Sequence, residues 1–406
     1  MGPSRIVVAV AFTAVLFALT ACGGSEGDSR PDPATRRPVL VSESLRFSSI
    51  EDSQAHTCGA ALDGGTWCWG KNAYGELGTD APLDLCDIPG FEFVACTAKP
   101  QQLAGAPRLD AFAMSVGAGR TCGLDSLGEA WCWGFGLGGQ LGVGTAANSA
   151  IPLKVAGDHR FALLRSTTSG LATCGITPEG EAWCWGPNGQ WGPFGNGGTA
   201  GSVTPVRVDW GRQFVALDFG EMHGCGLDAQ GRAWCWGSNW YGQLGLGSAG
   251  GSGGVMASWT PMPVVGDHVF RHIAAGSDHT CALDDAGAAW CWGAVHALGS
   301  VTSVRDYVGE PQRVSGTLSF AALTSGALHT CGLTSSGRIW CWGQNYLGEL
   351  GDGSQSPAEV PVKVLSDARF HRLAHRATCA LDTAGRAWCW GDNSYGQVGR
   401  RSVYAR

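Results

Sequence analysis

The 406 residues include 44% hydrophobic side chains, enough for a large buried core, and by length alone they allow two or three domains. Charged residues make up 15%, the net charge is −7, and no lysine- or arginine-rich stripe is present, so nucleic-acid binding has little electrostatic support. Seventeen cysteines belong in an oxidising compartment rather than a reducing one.

From the N-terminus, Arg5 is followed by an apolar run from Ile6 to Leu19, too short for a transmembrane span and of the length of a secretory signal core. The run ends Leu19-Thr20-Ala21-Cys22. This tetrapeptide resembles a bacterial lipobox. The resemblance implies that residues 1–21 are a lipoprotein signal peptide cut before Cys22, and that Cys22 carries the lipid. Several acyl chains on one residue anchor a protein stably. Gly23 stands where many inner-membrane lipoproteins have Asp, so in a two-membrane cell the resemblance implies the outer membrane or cell surface. Residues 22–37, CGGSEGDSRPDPATRR, have almost no apolar side chains and are expected to form a disordered tether.

Ordered structure is expected over residues 38–406. Its unit is written most fully at 278–293, DHTCALDDAGAAWCWG. Cysteines recur in pairs ten positions apart at Cys58/Cys68, Cys122/Cys132, Cys174/Cys184, Cys225/Cys235, Cys281/Cys291, Cys331/Cys341 and Cys379/Cys389. Six residues after the first Cys of each pair stands a Gly, from Gly64 to Gly385, between two β-type runs. That pattern predicts a hairpin with a three-residue loop, the Gly taking the positive-φ position of a G1 bulge. Centring the loop before the Gly sets the two cysteines opposite each other, with Cα atoms ~4.5–5.5 Å apart, a separation that suits a disulfide. Cys86 and Cys96 repeat the spacing within an insertion, which leaves Cys22 over. Cys-x-x-Cys knuckles with histidines at ligand spacing are absent, so no metal is expected. Each bridge is expected to contribute roughly 2–3 kcal/mol in the chain-entropy model. In each W-C-W the two Trp point away from the Cys. Fourteen of the 18 Trp occupy these positions and are expected to pack between adjacent sheets rather than to cage a ligand.

Before each hairpin come two further short segments. One is P-x-x-V, at Pro38, Pro152, Pro205, Pro311 and Pro361, with looser versions at Pro100 and Pro263; the other starts at a Phe eleven residues before the Cys, as at Phe47, Phe214, Phe270 and Phe320. First cysteines are spaced by 48 residues (Cys331 to Cys379) to 64 (Cys58 to Cys122), the range of propeller blades or solenoid repeats. Four short strands in each of seven units predict an all-β seven-bladed propeller with a cross-strand disulfide in each blade. No P-x-x-V segment follows the seventh hairpin, so Pro38 to Val41 is expected to complete the last blade and close the ring.

The W-C-W-G strand leads into Asn72-Ala73-Tyr74-Gly75-Glu76-Leu77-Gly78 and its counterparts at 239–245 and 393–399. Together with G-x-x-H-T-C-x-L before the hairpin, as at 276–283, these resemble the RCC1 repeat over residues 38–406, and the resemblance implies the same seven-bladed fold. Units three and five depart from it, reading GQWGPFG and VHALG, and Arg120, Ala172, Gly224 and Ala377 are read as replacing the His.

No nucleophile, base and orienter assemble from the sequence, and no Walker pattern or cofactor motif is present, so a non-enzymatic role is expected. His56, His279 and His329 recur at one repeat position, which favours a structural hydrogen bond over catalysis. Asp63, Asp125, Asp228, Asp284, Asp285 and Asp382 lie at hairpin turns and read as turn residues. Two excursions are candidate partner contacts. Residues 79–99, with Phe91 and Phe93, are pinned by Cys86/Cys96; residues 246–262 pair a Gly/Ser run with Met256, Trp259 and Met262.

Within the resembled family, propellers act as nucleotide exchange factors for a nuclear GTPase, as a plant UV-B receptor and as a bacterial β-lactamase inhibitor. Exchange needs a GTPase in the same compartment, and light sensing needs a Trp cluster where this chain reads 276–280, GSDHT. What the resemblance leaves is binding of a protein in the envelope or outside the cell. The alternative is an extracellular glycan-binding or glycan-cleaving propeller, for which cleavage would require a convergent carboxylate pair.

Overall fold

The computed structural model describes residues 34–401 apart from 54, 80, 82, 88–92, 106–107, 110–114, 118, 209–210, 301–306 and 377. The signal segment, Cys22, most of the tether and Phe91 lie outside the described residues.

The chain forms seven antiparallel sheets, six of them assembled from consecutive segments. Blade 5 shows the plan: an inner strand Phe270–Ala275, then His279–Asp284, then Ala289–Ala294, and an outer strand Tyr307–Arg313. Blade 1 adds a fifth strand, Asp84–Cys86, beyond its outer strand Val94–Gln102. The hairpins close as the glycines require. In blade 5 the Asp284 N–H donates to the Ala288 carbonyl at 3.1 Å and the Gly287 N–H to Asp284 at 3.0 Å, with Gly287 at φ 79°.

That register sets the two cysteines of each hairpin opposite one another, and every such pair is bonded. From blade 1 to blade 7 the bridges are Cys58–Cys68, Cys122–Cys132, Cys174–Cys184, Cys225–Cys235, Cys281–Cys291, Cys331–Cys341 and Cys379–Cys389. Their Cα atoms are 4.1 Å apart in all seven, closer than the separation expected of facing strand residues, because a bond between directly opposed side chains draws the two strands together. Cys86–Cys96 ties the fifth strand of blade 1 with Cα atoms 5.9 Å apart.

Proline explains the outer strands. It lacks a ladder N–H, so it is tolerated at a sheet edge, and Pro152, Pro205, Pro311 and Pro361 all fall in outer strands. In blade 4 the equivalent residue is Pro261, not Pro263: the Val264 N–H donates to Ala233 as the Val314 N–H donates to Ala289. The 246–262 excursion is partly strand, because Ala257–Pro263 forms the outer edge of blade 4 and only a short turn, Gly250–Ser252, precedes it.

The ring closes through the N-terminal strand, Ala34–Leu40, which pairs with Ala387–Asp392 of blade 7. It starts four residues before the expected boundary. Residues 34–37 therefore belong to the propeller and not to the tether, since Ala34 and Thr35 pair with Asp392 and Gly391.

The core lies between blades. The second Trp of each W-C-W, from Trp69 to Trp390, is fully buried, and each apolar cluster joins one blade to the next. In the cluster between blades 5 and 6, Cys281, Leu283 and Val314 meet Phe320, Leu323 and Trp342. Stability is therefore shared around the ring.

Candidate binding surfaces around the channel

The repeated Trp, Thr and His act together as a clasp between blades. In blade 5, Trp292 Nε1 and Thr280 Oγ1 both donate to the Gln243 carbonyl of blade 4, at 2.9 and 3.0 Å. Blade 2 does the same to Glu76 and blade 1 to Gln397. Because the Thr121 and Thr280 protons are committed, the His of the preceding blade must donate to their oxygens, His56 to Thr121 at 2.9 Å and His223 to Thr280 at 3.0 Å, and His279 Nε2 pairs with Thr330 Oγ1 at 2.9 Å in the same position. Burial pushes these imidazoles down, His56 to about 3 and His223 to about 4, so they stay neutral and serve the clasp as hydrogen-bonding groups. His223, paired with Gly237 as His279 is with Gly293, holds the His position of blade 4. Gly224 thus replaces the Thr rather than the His. Arg120 does replace a His: its buried guanidinium donates to the carbonyls of Gly170 and Ala172 at 2.7 and 2.8 Å.

The cysteines form the frame and no part of a binding surface. Between the two Trp of each W-C-W, the side chains of Cys68, Cys132, Cys184, Cys235, Cys291, Cys341 and Cys389 turn into the apolar clusters between blades and are fully buried. Their partners Cys58, Cys122, Cys174, Cys225, Cys281, Cys331 and Cys379 are buried with them, as are Cys86 and Cys96.

The turn carboxylates are consumed locally. Asp228, Asp284 and Asp382 each accept backbone N–H groups and the indole N–H of the first Trp of their hairpin at 3.0 Å. Partial burial pushes these carboxyls up, but the indole and backbone bonds outweigh it and hold them below the ordinary carboxylate range. They are spread over separate blades and form no catalytic pair.

The inner turn of blade 7 is the exception among the seven. Where blades 4 to 6 have Gly220, Gly276 and Gly326, six residues after the inner Phe, blade 7 has Arg376, preceded by His375 where blade 5 has Ala275, and the turn is two residues shorter. The Arg376 guanidinium crosses the axis to Ser166 O and Thr168 Oγ1 of blade 3, both at 3.0 Å. His375 Nε2 meets the Asp218 carboxylate of blade 4 at 2.6 Å. Blade 1 holds the turn from the other side: Glu51 accepts the His375 N–H at 3.0 Å, and Asp52 accepts from Arg376 N and from Thr378. Burial pushes Asp52 up to about 6 despite these bonds. Burial also raises Asp218, but His375, Arg376 and Arg165 overcome it and hold the carboxyl well below the usual range.

This turn divides the channel into two mouths. On the loop side, cavities of about 310 and 500 Å³ share Ser53, Thr168, Arg376 and Asp392. The larger is walled by Tyr74, Phe135 and Tyr395, with Lys71 Nζ 5.5 Å from each tyrosine ring. On the hairpin-turn side a third cavity, of about 380 Å³, is lined by the inner strands.

Of the expected contacts, Phe93 is 56% exposed beside the Cys86–Cys96 bridge. Met256 and Trp259, 49% and 44% exposed, lie on blade 4 with Trp240, 45% exposed. The turn at 250–252 brings Met256 and Trp240 together, since Gly250 abuts Met256 and the Gly251 N–H donates to the Trp240 carbonyl. Trp259 Nε1 reaches Gln190 O of blade 3 at 3.0 Å. Met262 is exposed further along the same strand. Sequence reasoning missed Trp240, whose signal was a second aromatic in Asn239-Trp240-Tyr241, and the cross-channel pair His375–Arg376. Among the described residues, no group of His, Cys, Asp and Glu could hold a metal ion, and no helix is long and apolar enough to cross a membrane.

Seven sheets of four strands, the first with a fifth added, closed around an axis and clasped blade to blade define a seven-bladed β-propeller. Two models of the Regulator of chromosome condensation (RCC1) repeat match it, one over residues 230–283 and 336–378, the other over 214–243, 320–349 and 375–397. The chain is an RCC1-like propeller. It is 26% identical over 261 residues to the human E3 ubiquitin-protein ligase HERC2, covering 63% of this chain and 5% of that protein. To the ultraviolet-B receptor UVR8 of Arabidopsis thaliana it is 29% identical over 266 residues, covering 64% of this chain and 56% of the receptor. The chain thus spans about half or less of the curated relatives it matches. Human WBSCR16 superposes with a TM-score of 0.72 at 18% identity over 88% of this chain and 89% of that one. Yeast RCC1 (Prp20), solved bound to Kap60, gives 0.68 at 19% over 85% and 80%. At such identities the two structures speak for the fold alone.

Proposed function

We propose that this chain is an exported, lipid-anchored propeller that serves as a protein-binding scaffold in a bacterial envelope, and that it performs no catalysis of its own. The observation that carries the binding reading is the exposed apolar strip of blade 4, Trp240, Met256 and Trp259, presented on a frame pinned by cross-strand disulfides. Large aromatic and Met side chains left in the open are what interface centres are made of, because they bury much apolar area on docking. Yeast RCC1 and its bound Kap60 supply a precedent for protein binding by this fold. The export reading rests on the lipobox-like 19–22 segment and on eight disulfides, which a reducing compartment would not sustain.

Capture of envelope proteins on the oxidised propeller tests the binding reading. A protein retained by the native chain and lost with Trp240→Ser, Met256→Ser and Trp259→Ser together is the expected result; retention unchanged by these substitutions would overturn it. For the anchor, Cys22→Ser is expected to abolish fatty-acid labelling and release the protein from membranes.

Glycan binding is a second reading with its own observation, the 500 Å³ cavity walled by Tyr74, Phe135 and Tyr395. Such faces stack against sugar rings. Tyr74→Ala would remove that stacking while leaving blade 4 intact.

A further inference from the structure

The channel mouth on the hairpin-turn side is electrically unlike the rest of the molecule. The chain carries a net charge of −7, yet Arg165, Arg271, Arg372, His272 and His375 converge on this one cavity of about 380 Å³ against two carboxylates, Glu51 and Asp218. Both carboxylates are already engaged. Glu51 faces Arg372 at 3.6 Å and accepts the His375 N–H, while Asp218 accepts His375 Nε2 and the Ala275 N–H at 2.8 Å. Arg165 and Arg271 are left over: neither forms a salt bridge among the described residues.

The two guanidinium groups are held in place by backbone rather than by acids. Arg271 donates to the carbonyls of Asp284, Ala321 and Phe320 at 3.1, 3.1 and 2.6 Å, which fixes its plane without reducing its charge. Arg165 donates through Nη1 to Leu164 O at 2.9 Å, and its buried Nε has no hydrogen-bond partner among the described residues. His272 Nδ1 is likewise buried and unpartnered. Small side chains, Ala216 and Ala322, line the space between. A buried polar group without a partner is costly in a fold unless something answers it, and Arg271 adds a positive charge at the exposed rim of the same mouth.

We propose that this mouth binds a doubly charged tetrahedral oxyanion, a phosphate or sulfate group, between Arg165, Arg271 and His272. Two guanidinium groups outside any salt bridge among the described residues match two negative charges, and donors on different walls match oxygens pointing in different directions. A single carboxylate offers one charge and two oxygens in one plane. The imidazole joins by presenting an N–H to the anion, and the anion in turn favours its protonated form. His371, Arg372 and His375 add positive potential from blade 7, and Glu51 and Asp218 limit it. The site is independent of the protein-binding surface of blade 4, and the failure of one leaves the other standing.

The test is titration of the mature oxidised protein with inorganic phosphate and with glycerol phosphate at constant ionic strength, followed by calorimetry and by the His272 ring resonances. Saturable one-to-one binding with an upward shift in the His272 titration is expected. Binding of both ligands would mark a site open to esterified groups, and binding of inorganic phosphate alone a site for the free ion. Arg165→Gln is expected to weaken binding by about tenfold or more, as loss of a charge-assisted hydrogen bond does. Val215→Glu adds a carboxylate at an exposed position of the same mouth, where folding is not at risk, and is expected to weaken it too. No saturable binding, equal affinity in both variants, or equal affinity for succinate would overturn the proposal.

Discussion

Glu76 occupies a position where other blades have Gln140, Gln243 and Gln397, and replacing it with Gln should stabilise the protein in a pH-dependent way. In the glutamine blades the amide oxygen accepts a backbone N–H of the loop, from Tyr241 and from Tyr395 at 2.9 Å. Glu76 Oε2 accepts the Tyr74 N–H in the same way at 2.6 Å, but its Oε1, which stands where glutamine carries its amide, is buried with no partner among the described residues. Burial pushes the carboxyl up from 4.5 to about 7, with the Tyr74 bond and Lys71 opposing it. A folded-state value above the unfolded one means stability that is complete below about pH 4.5 and lost as pH rises through about 7. At 1.36 kcal/mol per unit, the ionised carboxylate costs the fold up to about 3 kcal/mol at pH 8. Glu76→Gln removes that cost, because its amide can donate where the carboxylate cannot. Denaturant unfolding of both proteins at pH 4.5 and pH 8 measures it. The variant should exceed the native protein by roughly 2–3 kcal/mol at pH 8, with the difference shrinking below about 1 kcal/mol at pH 4.5. A difference independent of pH, or a variant weaker at pH 8, would refute the reasoning.

Deletion of residues 34–40 should cost roughly 3 kcal/mol or more, from loss of buried Val39 and the outer ladder of blade 7, whereas deletion of 23–33 should cost little; equal effects in thermal unfolding would contradict ring closure by the N-terminal strand. Trp292→Phe removes the indole bond to Gln243 O while retaining an aromatic ring, and should lower stability by about 1–2 kcal/mol; an unchanged denaturation midpoint would show that the clasp contributes nothing. Gly276→Ala places a methyl group 2.0 Å from His279 Cε1 and 2.7 Å from Gly326 O, and should cost about 1–3 kcal/mol, read by the same unfolding curves.

Much of this architecture was legible because it is local. A Gly six residues after a Cys fixes the hairpin register, and the register fixes the disulfide. The missing outer strand of blade 7 could be counted, so the role of the N-terminal segment followed. Its early start at Ala34 was not readable, since residues 34–37, ATRR, are polar and pair only because an edge strand of blade 7 offers its backbone. The 257–263 strand was hidden by its two prolines and by the glycine run before it, features that an outer edge tolerates. The channel was the least legible region. His375 and Asp218 are 157 positions apart and Arg376 and Asp52 are 324 apart, and only the closed ring brings them together. The one sequence trace was the loss of the turn glycine, replaced by Arg376 six residues after Phe370, with His375 before it.

Radical footprinting of the native protein in its own envelope, set against the purified oxidised chain, tests the scaffold reading most directly. Oxidation of Met256, Trp240 and Trp259 reports solvent access to the blade 4 strip, with Leu62 and Leu127, exposed on other blades, as references. Protection of the strip in the envelope, with the references labelled equally in both samples, is the result expected of a surface covered by a protein partner. Equal labelling of the strip in both samples would mean that nothing is bound there, and would contradict the assignment of this propeller as a scaffold acting through blade 4.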